Sequence, residues 1–135
     1  MMILNLQMCS TWAMVGLIWF VQVVHYPLFE AVGPEQFPSY SKSHSRLTTW
    51  VVLPLMTAEL VTSYLLWRSN PGWVEWCGLG LVLLLWLSTL VFFAPLHGRL
   101  ARRFKETDWR LLVRANWFRT WIWSTRGLLV LLLGS

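Results

Sequence analysis

The segment ILNLQMCSTWAMVGLIWFVQVVHY, residues 3–26, contains no aspartate, glutamate, lysine or arginine. A helix of this length rises about 36 Å, enough to cross the roughly 30 Å hydrocarbon core of a bilayer. The segment has no basic start and no Ala-x-Ala-like cleavage site, and its apolar run is longer than the core of a signal peptide. We therefore expect it to stay in the protein as the first membrane-spanning helix.

Three more apolar segments of similar length follow the first one. The chain has 135 residues, of which 56% are hydrophobic and 13% are charged, a composition typical of proteins whose solvent is the bilayer. These segments predict an all-α fold class, an antiparallel four-helix transmembrane bundle that forms a single integral membrane domain over 1–135. The predicted helices cover about 3–27, 44–68, 72–97 and 109–133.

The basic residues of the loops predict the orientation of the bundle, because cytoplasmic loops carry an excess of lysine and arginine. The loops after the first and third helices contain most of these residues, whereas the turn after the second helix offers only Arg68. We therefore expect an integral membrane protein, in the inner membrane of a bacterium, with both termini outside the cytoplasm.

The net charge of +5 fits anionic lipid headgroups, since the basic residues lie next to the membrane. The expected partners are the lipid bilayer and a hydrophobic small molecule, with a homo-oligomer as an open alternative. A nucleic acid is not expected.

Two charged residues inside the apolar segments are predicted to form an intramembrane ion pair. Glu59 lies eight residues before Trp67, and Arg126 lies seven before Leu133. Both are then about 10–12 Å from the same membrane surface, where a lone ion costs several kcal/mol unless it meets a partner. The pair either holds the second helix to the fourth or forms a site for a proton or a substrate anion.

The histidines of the chain are His25, His44 and His97, and the predicted topology places all three at one water-facing end. Three imidazoles with an oxygen ligand suit zinc, iron or copper. The cofactor is therefore unknown from the sequence: a metal ion or a haem remains open, and there is no nucleotide-binding motif. A metal-free cavity that uses these histidines as acid–base groups is the second interpretation, and no site at all is the third.

Other polar residues are predicted to join the histidines. At 100° per residue, Asn116, Arg119, Trp123 and Arg126 fall within an arc of about 80° on the fourth helix. Gln22 lies one turn before His25. We assign His97, His25 and Arg119 as candidate catalytic residues. The candidate substrate-binding residues are Gln22, His44, Asn116 and Trp123.

Short motifs near the helix ends resemble a known family. Pro95-Leu96-His97-Gly98-Arg99-Leu100 ends the third helix, and Asn116-Trp117-Phe118-Arg119-Thr120 opens the fourth. Together with Tyr26-Pro27-Leu28-Phe29, they resemble the anthrone-oxygenase-like family of small four-span membrane proteins, in which an Asn usually stands where this chain has His97. Trp19–Phe29 and Gly98–Phe104 show a weaker likeness to the membrane protoporphyrinogen-oxidase-like four-helix proteins.

The resemblance implies oxidation of a flat, lipophilic polycyclic substrate by dioxygen. In that case Arg119 would stabilise a phenolate or enolate, while His97 or His25 removes a proton. The sequence therefore predicts an oxidoreductase or oxygenase-like enzyme with a cytoplasm-facing polar site. The alternative is a non-catalytic membrane subunit or binding module that docks a pigment, a quinone or a larger membrane complex.

Overall fold

The computed structural model describes residues 1–134, which contain four long helices and no strand. These helices are α1 (Met2–Ala31), α2 (Phe37–Ser69), α3 (Trp73–Leu100) and α4 (Glu106–Leu132). The predicted all-α class is confirmed. By length and composition α1, α2 and α3 can each cross a membrane, which indicates a membrane protein.

Helix α4 is not among the candidate spans of the described chain. Its apolar sequence is interrupted by Arg114, Asn116, Arg119 and Arg126, which lower its mean hydropathy. The finding therefore supports three of the four predicted spanning helices. Asn116, Arg119 and Arg126 are buried against the other helices, whereas Arg114 is exposed.

Helix α2 begins at Phe37, earlier than the predicted start near residue 44. Pro38 lies in its first turn, where the missing N–H of a proline leaves no hydrogen bond unmade, and Phe37 is fully buried. The helix then runs through Pro54 to Ser69 without a break.

Helices α1 and α3 each contain one π-helical segment, Val21–His25 and Thr89–Phe93. Pro27 and Pro95 follow these segments. A proline ring collides with the carbonyl four residues earlier and has no N–H to donate, and that carbonyl lies inside the π segment in both cases. π segments in α-helices frequently occur at functional sites.

Helices α1 and α3 each pack against both α2 and α4. Buried hydrophobic side chains form two clusters between them. The aromatic cluster consists of Tyr26, Phe29, Phe37, Phe93, Leu96, Leu100 and Leu112. The methionine cluster consists of Met14, Ile18, Met56, Leu85, Ile122 and Trp123.

Candidate functional site

A buried carboxylate lies at the centre of a polar network between the helices. Glu59 is 0% exposed. Its Oε1 accepts hydrogen bonds from the Thr11 hydroxyl at 2.9 Å and from Arg126 Nε at 3.2 Å. Its Oε2 accepts a hydrogen bond from the Trp123 indole N–H at 2.9 Å. Both carboxylate oxygens therefore have donors.

Arg126 connects this carboxylate to two more groups. One terminal nitrogen of its guanidinium lies 3.1 Å from Glu59 Oε1 and donates to the Ser63 hydroxyl at 3.2 Å. The other donates to the Gly78 carbonyl. The structure thus brings together Glu59 and Arg126, which were predicted to pair because they lie at the same depth in the membrane. Arg126 also joins α4 to both α2 and α3.

Gln7 extends the network further along α1. It is not among the predicted site residues. Its Nε2 donates to the Thr11 hydroxyl at 3.1 Å, while its Oε1 accepts from the hydroxyls of Thr62 and Ser63. Gln7 is 3% exposed. In the sequence, Gln7 is recognisable as a polar residue one helical turn before Thr11 in a segment without charged residues. We call Gln7, Thr11, Glu59, Thr62, Ser63, Trp123 and Arg126 the Glu59 network.

The three histidines lie together at some distance along the helices from this network. His25 Nε2 is 2.9 Å from His44 Nδ1. The ring centroids of His44 and His97 are 5.7 Å apart, and His97 Nε2 is 3.2 Å from the Tyr26 hydroxyl. The Thr48 hydroxyl also approaches His44 Nδ1, at 3.3 Å.

These contacts do not produce the metal centre considered from the sequence. Residues 1–134 contain no group of three or more His, Cys, Asp or Glu side chains placed to hold a metal ion. The physical reason is that His25 and His44 direct ring nitrogens at each other, while His97 Nε2 faces a phenol. The three imidazoles are close, but their nitrogens do not converge on one point.

Gln22 and Asn116 bond to each other, while the buried Asn116 Oδ1 has no hydrogen-bond partner among the described residues. Asn116 Nδ2 donates to Gln22 Oε1 at 2.9 Å, and Gln22 Nε2 donates to the Val113 carbonyl at 3.1 Å. These bonds join the π segment of α1 to α4. Gln22 and Asn116 are absent from the wall of the cavity described next. Trp123, whose indole N–H donates to Glu59, is absent from it as well. Of the four predicted substrate-binding residues, His44 is the one that lines this cavity.

A cavity of about 450 Å³ lies between α1, α2 and α3, and Arg119 reaches it from α4. Its volume falls within the range of about 300–1,000 Å³ that is usual for small-molecule sites. His44 and His97 are in its wall, whereas His25 lies behind His44. The apolar part of the wall comes mainly from the following residues: Met14, Ile18, Met56, Trp86, Leu90 and Phe93.

Arg119 is a buried cation that has no counter-ion among residues 1–134. It is 8% exposed, and its guanidinium carbon lies 4.6 Å from the centroid of Phe93 and 5.0 Å from that of Trp123. Cation–π contacts of this kind stabilise a desolvated guanidinium. Within residues 1–134 it forms neither a hydrogen bond nor an ion pair, and its buried Nε has no partner. Its charge is therefore available to a ligand in the cavity.

His97 also presents an unused polar atom. Its Nδ1 is buried and lacks a hydrogen-bond partner within the described chain, while its Nε2 is held by Tyr26. An imidazole nitrogen left unpaired beside an apolar cavity can accept a proton or a hydrogen bond from a bound molecule.

Tyr26 and Phe93 also belong to this site, although neither is among the predicted site residues. Tyr26 was quoted only for its motif, although it orients His97, and Phe93 supports Arg119 from α3. Lys42 falls between the first two predicted helices, yet it lies in α2 and lines the cavity. Among the residues that line this cavity there are four basic or imidazole side chains and no acidic one: Lys42, His44, His97 and Arg119.

Comparison of the chain with protein-family models, with curated proteins and with solved structures finds no match.

Proposed function

We propose that the four helices form an antiparallel bundle that spans the inner membrane of a bacterium four times, with both termini outside the cytoplasm. The burial of Arg119 and Arg126 supports α4 as the fourth span, because both charges face the other helices. Leu128 and Leu131 are exposed on the outside of α4, where lipid would cover them.

Within this bundle we propose a membrane oxidoreductase of the oxygenase-like type, which acts on a lipophilic polycyclic substrate in the cavity. One observation carries the proposal. An unpaired guanidinium, Arg119, and an imidazole with a free nitrogen, His97, line the same apolar cavity. The polar groups are few and the walls are apolar, as a site for a ring system requires.

The proposed chemistry begins with proton removal. His97 Nδ1 takes a proton from a ring CH₂ group that is activated by a neighbouring carbonyl. Arg119 stabilises the negative charge that develops on the carbonyl oxygen. Dioxygen oxidises the resulting enolate, so that one CH₂ and one O₂ give one C=O and one H₂O. Tyr26 positions His97, and His25 positions His44.

The test measures dioxygen consumption by the purified protein with anthrone as substrate. We expect His97→Gln and Arg119→Gln each to lower kcat by roughly a hundredfold, a usual size for the loss of an acid–base or anion-stabilising group. The matched control is His25→Gln, which lies behind the cavity wall and should lower kcat less. Full activity of His97→Gln on every polycyclic substrate that the parent oxidises would remove the proposed base.

A second candidate function is a non-catalytic binding module for a pigment, a quinone or a larger membrane complex. The observation in its favour is an indole cluster on the outside of α1 and α4. Trp19 lies edge-on to Trp117 and Trp121 at centroid distances of 5.7 and 6.0 Å, and Trp121 is 60% exposed. Purification with fixed protein partners and no turnover favours this function. A coloured bound ligand with measurable oxygen consumption favours the enzyme.

A further inference from the structure

The cavity reaches the surface of the molecule sideways, between α2 and α3. Leu53 of α2 and Leu90 of α3 line it, although they are 47% and 62% exposed. Thr49 and Ala94 also line it and are exposed. Helix α2 packs against α3 along Trp73–Ser88 and again along Ala94–Leu100, whereas it makes little contact with the π segment between them. The two helices therefore leave a gap at the level of the cavity.

The edges of this gap are apolar. Leu53 and Leu90 belong to two of the helices that are long and apolar enough to span a membrane, so their exposed faces would lie against lipid chains. A lipophilic molecule is concentrated in the bilayer and crosses such an edge without first entering water.

The charges around the cavity have one sign. Lys42 and Arg119 line it together with His44 and His97, and no Asp or Glu is in the wall. Glu59 is fully occupied by Thr11, Trp123 and Arg126, so it does not neutralise Arg119. A buried, unpaired cation is costly unless a counter-ion is supplied.

We propose that the ligand enters from the bilayer through the gap between α2 and α3, and that it is held as a monoanion by Arg119. Its charged group carries one negative charge on oxygen, as a carboxylate or an ionised enol or phenol does, and is attached to a flat apolar body. The proposal rests on the cavity assigned under the proposed function, and adds to it the route of entry and the charge of the bound species.

The charge of the ligand is tested with two probes of the same shape, 9-anthracenecarboxylate and neutral 9-anthracenemethanol. The protein is reconstituted in phosphatidylcholine vesicles, and binding is read from the anisotropy of the anthracene excited directly. We expect the carboxylate to bind at least about tenfold more tightly than the alcohol, as loss of a charge-assisted hydrogen bond predicts. Arg119→Gln should abolish that difference, and Arg119→Lys, which keeps the charge, should retain most of it.

The route of entry is tested by stopped-flow association rates of 9-anthracenecarboxylate. Leu53→Trp and Leu90→Trp add bulk at the gap, and both positions are exposed, so the fold should tolerate them. We expect each to slow association by about tenfold or more, because entry now requires side-chain displacement. The matched controls are Val61→Trp and Leu87→Trp, which are exposed on the same two helices but outside the cavity wall, and they should leave the rate unchanged.

The outcomes separate this inference from the proposed function. Equal affinity for both probes, unaffected by Arg119→Gln, overturns the monoanion while the cavity remains a binding site. Equal association rates in the gap variants and their controls overturn lateral entry alone. Absence of binding by either probe to the folded parent protein overturns this inference and the proposed cavity ligand together.

Discussion

Two arginines on the same helix have opposite surroundings. Arg126 is matched by Glu59 at 3.1 Å and by neutral acceptors on α2 and α3. Arg119, two turns earlier, lies against the faces of Phe93 and Trp123 and has no ion pair within residues 1–134. The charge of Arg126 is therefore neutralised within the protein, whereas the charge of Arg119 is left for a ligand to neutralise. Trp123 connects the two, since its N–H serves Glu59 and its ring supports Arg119.

At this scale we predict that Glu59→Gln destabilises the protein without removing binding in the cavity. The amide can still contact Thr11 and Trp123, but Arg126 becomes an uncompensated buried cation, a change that costs about 3–5 kcal/mol. The measurement is the free energy of unfolding in detergent, with 9-anthracenecarboxylate binding measured on the fraction that remains folded.

The control for this prediction is Glu106→Gln, whose ion pair with Arg110 at 2.7 Å is exposed and should be worth at most about 1 kcal/mol. Unchanged stability of Glu59→Gln, together with lost turnover, would contradict a structural role. It would instead support the other interpretation, in which Glu59 handles a proton or a substrate anion.

At the scale of elements, the two π segments determine where site residues lie. Val21–His25 presents Gln22 to α4, and Thr89–Phe93 presents Phe93 to Arg119. Each π segment adds a residue to one turn and so changes which face of the helix the following residues occupy. A proline follows each π segment, and its ring and missing N–H favour the wider turn.

We predict that Pro95→Ala lowers the affinity for 9-anthracenecarboxylate by about tenfold or more while helical content stays the same or rises. Alanine restores the N–H at position 95, so Thr89–Phe93 can return to an α-helix. That return rotates the two halves of α3 relative to each other by about 100°. Phe93 then leaves the face of Arg119. Circular dichroism and probe titration measure the two effects.

Pro54→Ala is the matched control, because α2 runs through Pro54 as an α-helix and has no π segment beside it. It should change stability with little change in affinity. Equal loss of binding in both variants would show that π geometry is not what places Phe93.

At the scale of the whole molecule, the Glu59 network and the histidine group lie in different parts of the helices, with the cavity near the histidines. The network includes side chains from α1, α2 and α4, and a carbonyl from α3. It therefore connects all four helices through hydrogen bonds. The cavity region, by contrast, keeps the gap between α2 and α3 and the unpaired charge of Arg119.

We predict the proposed topology to be visible by cysteine labelling from the two sides of the membrane. In a chain with Cys9→Ser and Cys77→Ser, Arg68→Cys should react with an impermeant maleimide added to intact spheroplasts. Lys105→Cys should react only after the membrane is permeabilised. Both positions are exposed, so lack of access on one side reflects the bilayer. Labelling of both from outside would refute the four-span arrangement.

The sequence by itself determined the helical class, the three strongly apolar helices and the depth that pairs Glu59 with Arg126. These follow from local composition and from the fixed rise of a helix, which require no knowledge of neighbours. It also predicted that the histidines meet, because each one lies near a helix end on the same side.

Only the tertiary structure decided what those residues do. It turned His25 and His44 toward each other, engaged Gln22 with Asn116, and left Arg119 unpaired beside an apolar cavity. The face of a helix that meets a neighbour depends on π segments and on packing between helices that are distant in sequence. A helical wheel drawn at 100° per residue takes account of neither the π segments nor the packing between helices. Side-chain direction and the volume left between helices depend on how the four helices pack together, and the site depends on both.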